Sequence, residues 1–164
     1  MSKLLLRFVT TSDPVSCLIR LHTDCPFSHV EFVLDHEWDS ALESRNLPHE
    51  GTLGAHLSGG VRIRPLDYDR FSRVELASVE CTPEQKAAVI ESALGCVGDE
   101  YDVRNIAGIL FHQDWAEKGH YICSVFVAEK LINSGVHILR VTDKLPSITP
   151  RDVYMSPLLE TVQF

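Results

Sequence analysis

One predicted helix of the sequence begins with a cysteine. The segment 121–131 has apolar residues at helical spacing, and Asn133 and Gly135 follow it as stop signals. Cys123 lies in the first turn, where backbone N–H groups lack intrahelical acceptors and the helix dipole is positive. Both effects favour the thiolate, which is the nucleophilic form of cysteine. Cys123 is therefore a candidate nucleophile, although free cysteines are also commonly buried as small hydrophobic residues.

A predicted strand supplies a second pair of chemically capable residues. Residues 28–34 read as a strand, and its period of two places His29 and Glu31 on one face, opposite Val30 and Phe32. Glutamate is almost never buried without a partner. Either this face is exposed to water, or other polar groups converge on it. If His29 comes within hydrogen-bond reach of Cys123, a thiolate–imidazolium pair can form.

The rest of the chain must position these groups, and its pattern predicts an α+β fold with strands first and helices after them. Thr82, Pro83 and Gln85 form a capping-box signature, which predicts a helix from this point to Gly95 or Gly98. Further strands are predicted over 3–10, 51–57, 61–66, 71–80 and 136–141.

The less regular segments give weaker predictions. Residues 15–21 could form a short helix or a strand. Residues 35–48, which include Trp38, could form a loop or a short exposed helix. A short apolar helix is predicted over 106–111, followed by a polar loop around Trp115. Thr149 and Pro150 indicate another capped helix start.

Composition restricts the class of protein. The 164 residues fit a single domain over 1–164 with a real core, and 45% hydrophobic content is ordinary for a globular protein. The net charge of −8 and the lack of a basic stripe make nucleic acid an unexpected partner. An odd number of cysteines without a CxxC pair argues against a disulfide framework or a four-thiolate zinc site. The five cysteines are Cys17, Cys25, Cys81, Cys96 and Cys123.

Targeting signals are not evident in the sequence. The apolar run at the N-terminus is too short for a signal peptide and is interrupted by Arg7. No apolar run approaches membrane-spanning length. We therefore expect a reduced, cytoplasmic setting without stable membrane insertion.

Several short motifs occur in an order typical of a known family. They are Ser28-His29-Val30, Gly54-Ala55, Gly60-Val61, Pro65-Leu66, Tyr101-Asp102, Ile122-Cys123-Ser124, Val127-Ala128 and Thr149-Pro150. With them the chain resembles the circularly permuted papain-like hydrolases, which are relatives of NlpC-type cell-wall peptidases, YiiX-type bacterial proteins and lecithin–retinol acyltransferase. The resemblance covers residues 3–157. It implies an NlpC-type papain-like fold in permuted order, with helices packed on an antiparallel sheet.

The resemblance also implies roles for two residues. In that family the strand histidine precedes the helix cysteine, so the matching positions here are His29 as general base and Cys123 as nucleophile. YiiX-type relatives carry a glutamate just before the alanine that matches Ala55, whereas this chain has Gly54 at that position. The residue that orients His29 must therefore come from elsewhere.

Two side chains could replace the missing glutamate. Glu31 shares the strand face of His29, and His56 lies on the same face as Gly54 in the next predicted strand. A carboxylate would better stabilise an imidazolium, which favours Glu31. An acyltransferase-like arrangement would instead use a second histidine, which favours His56.

Four functions are compatible with these residues. The first is a cysteine hydrolase that cleaves an amide or peptide bond through a thioester and needs no cofactor. The second is a lipid-directed acyl hydrolase or acyltransferase, and the third a non-catalytic binding or assembly module, such as a virion or phage tail component. The fourth is a zinc site, since histidine, glutamate and cysteine are all residue types that bind zinc. That site would use His29, Glu31, His56 and Cys123.

Overall fold

Six strands form one antiparallel sheet in the computed structural model of the chain, which describes residues 1–101, 120–140 and 147–162. These strands are β1 Ser2–Thr10, β2 His29–Val33, β3 Thr52–His56, β4 Gly60–Arg64, β5 Arg73–Cys81 and β8 Leu159–Val162. Their order across the sheet is β4-β3-β2-β1-β5-β8. A separate parallel pair consists of β6 Glu100–Tyr101 and β7 His120–Tyr121.

Helices and turns connect and cover these strands. The described helices are α1 Pro14–Thr23, α2 Asp39–Ser44, α3 Pro83–Leu94, α4 Cys123–Asn133 and α5 Pro150–Tyr154, with a 3₁₀ turn at His36–Trp38 before α2. None of the helices in the described part of the chain is long and apolar enough to cross a membrane.

The core lies between one face of the sheet and the helices. Along β1 and β2, every second side chain points toward this core because successive residues of a strand face opposite sides. The inward side chains include Leu4, Leu6, Phe8, Val30 and Phe32, all of them buried. Helix α4 packs against β2, where the ring centroids of Phe126 and Phe32 are 6.0 Å apart. The start of α4 is therefore held close to the strand that carries His29.

The capping box predicted at the start of α3 is confirmed. The Thr82 hydroxyl accepts from the backbone N–H of Gln85, and the Gln85 side chain accepts from the backbone N–H of Thr82. One turn later Lys86 is buried, and its ammonium donates to Asp35 at 2.7 Å and to Glu37 at 3.0 Å. It also donates to the carbonyl of Lys3, so α3 is bound to β1 through a polar contact as well as through the core.

The predicted fold class is confirmed as α+β, with an antiparallel sheet and packed helices. The strand predicted over 136–141 is wrong for its described part, because residues 136–140 form no strand although Val136 and Ile138 are buried. The position beside β5 is taken by β8, which the sequence pattern did not predict. The predicted helix at 106–111, the loop around Trp115 and the position of Asp102 lie outside the described residues.

Trp38 anchors the segment between β2 and β3. This segment was predicted as a loop or a short exposed helix, but its 3₁₀ turn and α2 bury Trp38 and Leu42 completely. The indole packs on Phe32 with ring centroids 5.9 Å apart. Trp38 therefore contributes to the core.

Trp38→Ala should lower the free energy of unfolding by about 3–5 kcal/mol, because it leaves a large cavity against Phe32. Urea denaturation monitored by circular dichroism measures this change. Leu158→Ala is the matched control, since Leu158 is 56% exposed and its truncation opens no cavity in the core. Equal urea midpoints for Trp38→Ala and Leu158→Ala would contradict this role of Trp38.

Candidate active site

Two rows of residues run across the sheet and build the site. Val9 of β1 pairs with His29 of β2, and His56 of β3 pairs with Gly60 of β4. In the pairing of β2 with β3, Phe32 lies opposite Leu53. Extending this antiparallel register by three residues places His56 opposite His29. The His29 and His56 ring centroids are accordingly 4.9 Å apart.

The second row places a buried ion pair beside the histidines. Arg7 of β1 pairs with Glu31 of β2, and Gly54 of β3 pairs with Arg62 of β4. The Arg7 Nε donates to Glu31 Oε1 at 2.8 Å, and Arg7 Nη2 lies 2.6 Å from the same oxygen. Glu31 is completely buried and Arg7 is 4% exposed. The partner that a buried Glu31 requires is thus an arginine on the neighbouring strand.

The connection between β4 and β5 covers this face of the sheet. Arg7 Nη1 donates to the carbonyl of Leu66 at 2.6 Å, and the guanidinium carbon lies 5.6 Å from the ring centroid of Tyr68 and 5.0 Å from that of Phe71. The Tyr68 hydroxyl donates to Glu31 Oε2 at 3.4 Å. Sequence reasoning did not identify Arg7 or Tyr68 as part of the site. The only available signal was that Arg7 interrupts an apolar strand.

Cys123 is the first residue of α4, as predicted, and it lies beside His29, close enough for each group to shift the pKa of the other. The backbone N–H groups of Val30 and Ser124 also act on this thiol and lower its pKa. Ile122 at the N-cap gives no side-chain hydrogen bond, so no cap side chain competes for the N–H groups of the first turn. The Ser124 hydroxyl donates to the carbonyl of Ile148 at 2.6 Å, which fixes the start of the helix.

These contacts favour a charged thiolate–imidazolium pair. Burial raises the pKa of Cys123, but the His29 charge and hydrogen bond and the two backbone N–H groups outweigh it, so the pKa lies below the ordinary thiol value. Burial likewise lowers the pKa of His29, but Cys123 and then Glu31 outweigh it and raise this pKa to about 10. Such a pair titrates as a unit.

Glu31 and His56 take opposite charge states. Burial raises the pKa of Glu31, but His29 and then Arg7 outweigh it and hold this pKa at about 2. Burial and the charge of His29 lower the pKa of His56 to about 3, despite the opposing effect of Glu31. At neutral pH the site therefore combines an ionised carboxylate with a neutral imidazole. Burial and the charge of Glu31 raise the pKa of Tyr68, which keeps its hydroxyl protonated.

The structure brings Cys123, His29 and Glu31 together, with His56 beside them. The His29 Nε2 lies 3.4 Å from Glu31 Oε2. Because Nε2 faces the carboxylate, Nδ1 is the ring nitrogen that remains available to Cys123. His56 stacks beside His29 rather than lying in line with it.

The glycine at position 54 makes room for this carboxylate. A Cβ on Gly54 would lie 2.9 Å from the Cβ of Glu31 and 3.6 Å from its Oε2. Glu31 therefore fills the space in front of Gly54. The adjacent strand thus places a carboxylate where a side chain at position 54 would otherwise lie.

The same side chains form a cluster that could hold a metal ion. One ligand atom each from His29, Glu31 and His56 lie within 4.8 Å of one another. Cys123 is not part of this cluster, so the predicted four-residue set is reduced to three.

A cleft of about 260 Å³ reaches the two imidazoles from the surface. The β3–β4 turn and the start of α1 line it, with Arg64, Tyr68 and the Thr10–Ser28 hydroxyl pair. The Arg64 guanidinium carbon lies 5.0 Å from the ring centroid of Tyr68. Cys123 is 5% exposed and is not among the residues that line this cleft.

Comparison with known proteins supports the fold. The crystal structure of the metalloprotein YiiX from Escherichia coli O157:H7 superposes with a TM-score of 0.69 at 17% sequence identity, covering 99% of this chain and 96% of that one. The chain therefore has a YiiX-like fold. No family model matches the sequence, and no curated protein does.

Gly54→Ala should destabilise the protein by about 1–3 kcal/mol, because the new methyl group overlaps the Glu31 side chain. Urea denaturation gives the change in unfolding free energy. Gly95→Ala is a suitable control, since Gly95 has a helical φ of −64° and its Cβ would approach only the carbonyls of Glu91, at 3.3 Å, and Ser92, at 3.7 Å. Wild-type stability in Gly54→Ala would show that Glu31 does not need this space.

Arg7→Met should cost about 3–5 kcal/mol of stability, because it leaves the Glu31 charge buried without its partner. Removing both charges, in Arg7→Met with Glu31→Gln, should cost less than the sum of the two single variants. Denaturation of all four proteins at pH 7 gives the coupling energy. Additive costs would show that the two charges do not stabilise each other.

The stability of the same four proteins should respond differently to low pH. The pKa of Glu31 is about 2 when folded against an ordinary 4.5, so its ionised form contributes stability above pH 4.5 that is lost as the pH falls through 2. The wild type should therefore lose more stability over this range than the double variant. Parallel loss in both proteins would contradict the lowered pKa of Glu31.

Proposed function

We propose that the chain is a cysteine hydrolase that cleaves an amide or peptide bond. Cys123 is the nucleophile, His29 the general base and acid, and Glu31 the residue that orients His29. The observation that carries this proposal is the line of contacts from the Cys123 thiol through His29 to Glu31. A nucleophile, a base and an orienting group in this order are the signature of nucleophilic catalysis.

In the first half of the reaction, the Cys123 thiolate attacks the acyl carbonyl. The oxygen that gains negative charge needs a hydrogen-bond donor, and the backbone N–H of Cys123 at the helix start can provide one. The His29 imidazolium then transfers its Nδ1 proton to the leaving amine as the C–N bond breaks. The products of this half are the free amine and a thioester on Cys123.

In the second half, water releases the acyl group. His29 is now neutral and takes a proton from the attacking water as the new C–O bond forms. The C–S bond breaks, the thiolate returns, and His29 is again an imidazolium. Glu31 stays ionised throughout and stabilises the positive charge each time it forms on His29.

The permuted papain-like order is part of this proposal. It is supported by the chain order of the two groups, with His29 on β2 well before Cys123 on α4. A YiiX-like fold is compatible with it. Because the structural neighbour is described as a metalloprotein, a metal ion is a second ligand class for the same side chains.

A lipid-directed acyl hydrolase is the second candidate, and the surface of α1 favours it. Val15 is 41% exposed, Leu18 49% and Leu21 82%, while Thr23 on another side of the helix is buried. Val15 also lines the cleft that reaches His29. An acyl chain could therefore contact α1 while its ester or amide approaches the imidazole.

Alkylation of Cys123 by iodoacetamide should occur well below the unperturbed thiol pKa of about 8.5. His29→Ala should move the midpoint of the rate–pH profile up to the ordinary range, because it removes the charge that stabilises the thiolate. Peptide mass spectrometry identifies the labelled cysteine and gives each rate. Buried Cys25 and Cys81, whose pKa values are raised by burial, serve as controls within the molecule.

His49→Ala controls for loss of a surface histidine, because His49 pairs with Asp39 away from the site. Turnover of fluorogenic amide and ester substrates should be lost in Cys123→Ala with the fold intact. If Cys123 reacts with the same pH midpoint as Cys81, the hydrolase proposal is wrong and the non-catalytic module replaces it.

A further inference from the structure

We propose that His29, Glu31 and His56 form a binding site for one divalent transition-metal ion, with Zn²⁺ as the expected ion, and that its occupancy silences Cys123. The binding half of this inference is independent of the proposed hydrolase, while the silencing half rests on it. Imidazole nitrogens and a carboxylate oxygen are ligands that Zn²⁺ accepts, commonly as three protein ligands with one open position.

Two of the three distances between the ligand atoms are close to those around such an ion, and all three atoms lie within 4.8 Å of one another. Glu31 Oε2 lies 3.4 Å from His29 Nε2 and 3.8 Å from His56 Nε2. Ligands about 2.0–2.1 Å from a tetrahedral zinc ion are separated by about 3.3 Å. Small rotations of the side chains would therefore bring the three atoms to coordinating distance.

The two imidazole nitrogens are unsatisfied within the described residues. His29 Nε2 and His56 Nε2 are both buried, and although each lies near Glu31 Oε2, neither makes a hydrogen bond there. His56 is 6% exposed, and its Nε2 is directed toward Glu31 Oε2. Buried polar atoms are normally paired. A metal ion between them would satisfy both nitrogens at once.

Arg7 prepares the carboxylate for this role. It occupies Oε1 of Glu31 through Nε and Nη2, which leaves Oε2 directed toward the histidines. Outer hydrogen bonds of this kind orient metal ligands and affect affinity by about 10- to 100-fold. Tyr68 also contacts Oε2, at 3.4 Å, and would move aside or share that oxygen.

Metal binding would prevent the proton transfers by His29 that catalysis needs. Coordination through Nε2 displaces the proton on that nitrogen to solvent and leaves one proton on Nδ1, beside Cys123. Transfer of that last proton to a leaving group would create an imidazolate, so His29 could no longer alternate between imidazolium and imidazole. The hydrolase would then be reversibly inhibited, and a chelator would restore it.

Metal titration of EDTA-stripped protein tests the site directly. Equilibrium dialysis against Zn²⁺ should show one tightly bound ion, a tight equivalent, per chain. His56→Asn should lower the affinity for this ion by more than about 100-fold, beyond the loss typical of an outer-shell contact. Cys123→Ala should retain it. With Co²⁺ as the probe, the visible bands of a tetrahedral site should appear without a thiolate-to-cobalt charge-transfer band.

Controls separate this site from weak surface binding and from misfolding. His49→Ala removes an exposed histidine–carboxylate pair and should leave the tight equivalent unchanged. Circular dichroism of His56→Asn shows whether the variant is folded, and Glu31→Gln provides a second loss-of-binding test. Absence of a tight equivalent in the wild type, or its retention in both ligand variants, would overturn the proposal.

The outcomes also distinguish the two proposals. A tight equivalent in a protein without hydrolase activity would support the metal site and overturn only its silencing role. Hydrolase activity that Zn²⁺ does not inhibit, in a protein with a tight equivalent, would overturn the silencing half alone. Loss of the tight equivalent in Cys123→Ala would show that the ligand set is wrong.

Discussion

The buried ion pair between Arg7 and Glu31 is the interaction on which the site depends. Removing a carboxylate from water is costly unless an opposite charge and hydrogen bonds replace the solvent. Arg7 provides both, and its guanidinium is held in place by the Leu66 carbonyl, to which Nη1 donates, and by the rings of Tyr68 and Phe71. Glu31 can therefore stay ionised inside the protein.

An ionised Glu31 explains the neighbouring features. Its charge helps to raise the pKa of His29, and His29 in turn lowers the pKa of Cys123. Gly54 is small because the carboxylate occupies the space in front of it. The same oxygen faces the two imidazole nitrogens that a metal ion would need. The proposed hydrolysis and the proposed metal binding would therefore compete for one carboxylate oxygen and one imidazole.

Local signals in the sequence predicted most of the regular elements. The capping residues of α3 and the period of two in β2 are short-range features, and both predictions agree with the structure. The strand predicted over 136–141 was wrong where it is described, because an apolar run is buried equally well without strand pairing. Strand β8 was missed because its residues are mostly half-buried or exposed and lack an alternating pattern.

For the site, the sequence by itself determined that Cys123 begins a helix and that His29 and Glu31 share a strand face. Both follow from the periodicity of a single element. Only the tertiary structure decided that Arg7 neutralises Glu31, that Gly54 makes room for it and that His56 stacks on His29. These contacts depend on the registers of β1, β2 and β3 and on how α4 packs on the sheet. Register is set by interactions between residues far apart in the chain, and a one-residue slip would turn each of these side chains to the opposite face.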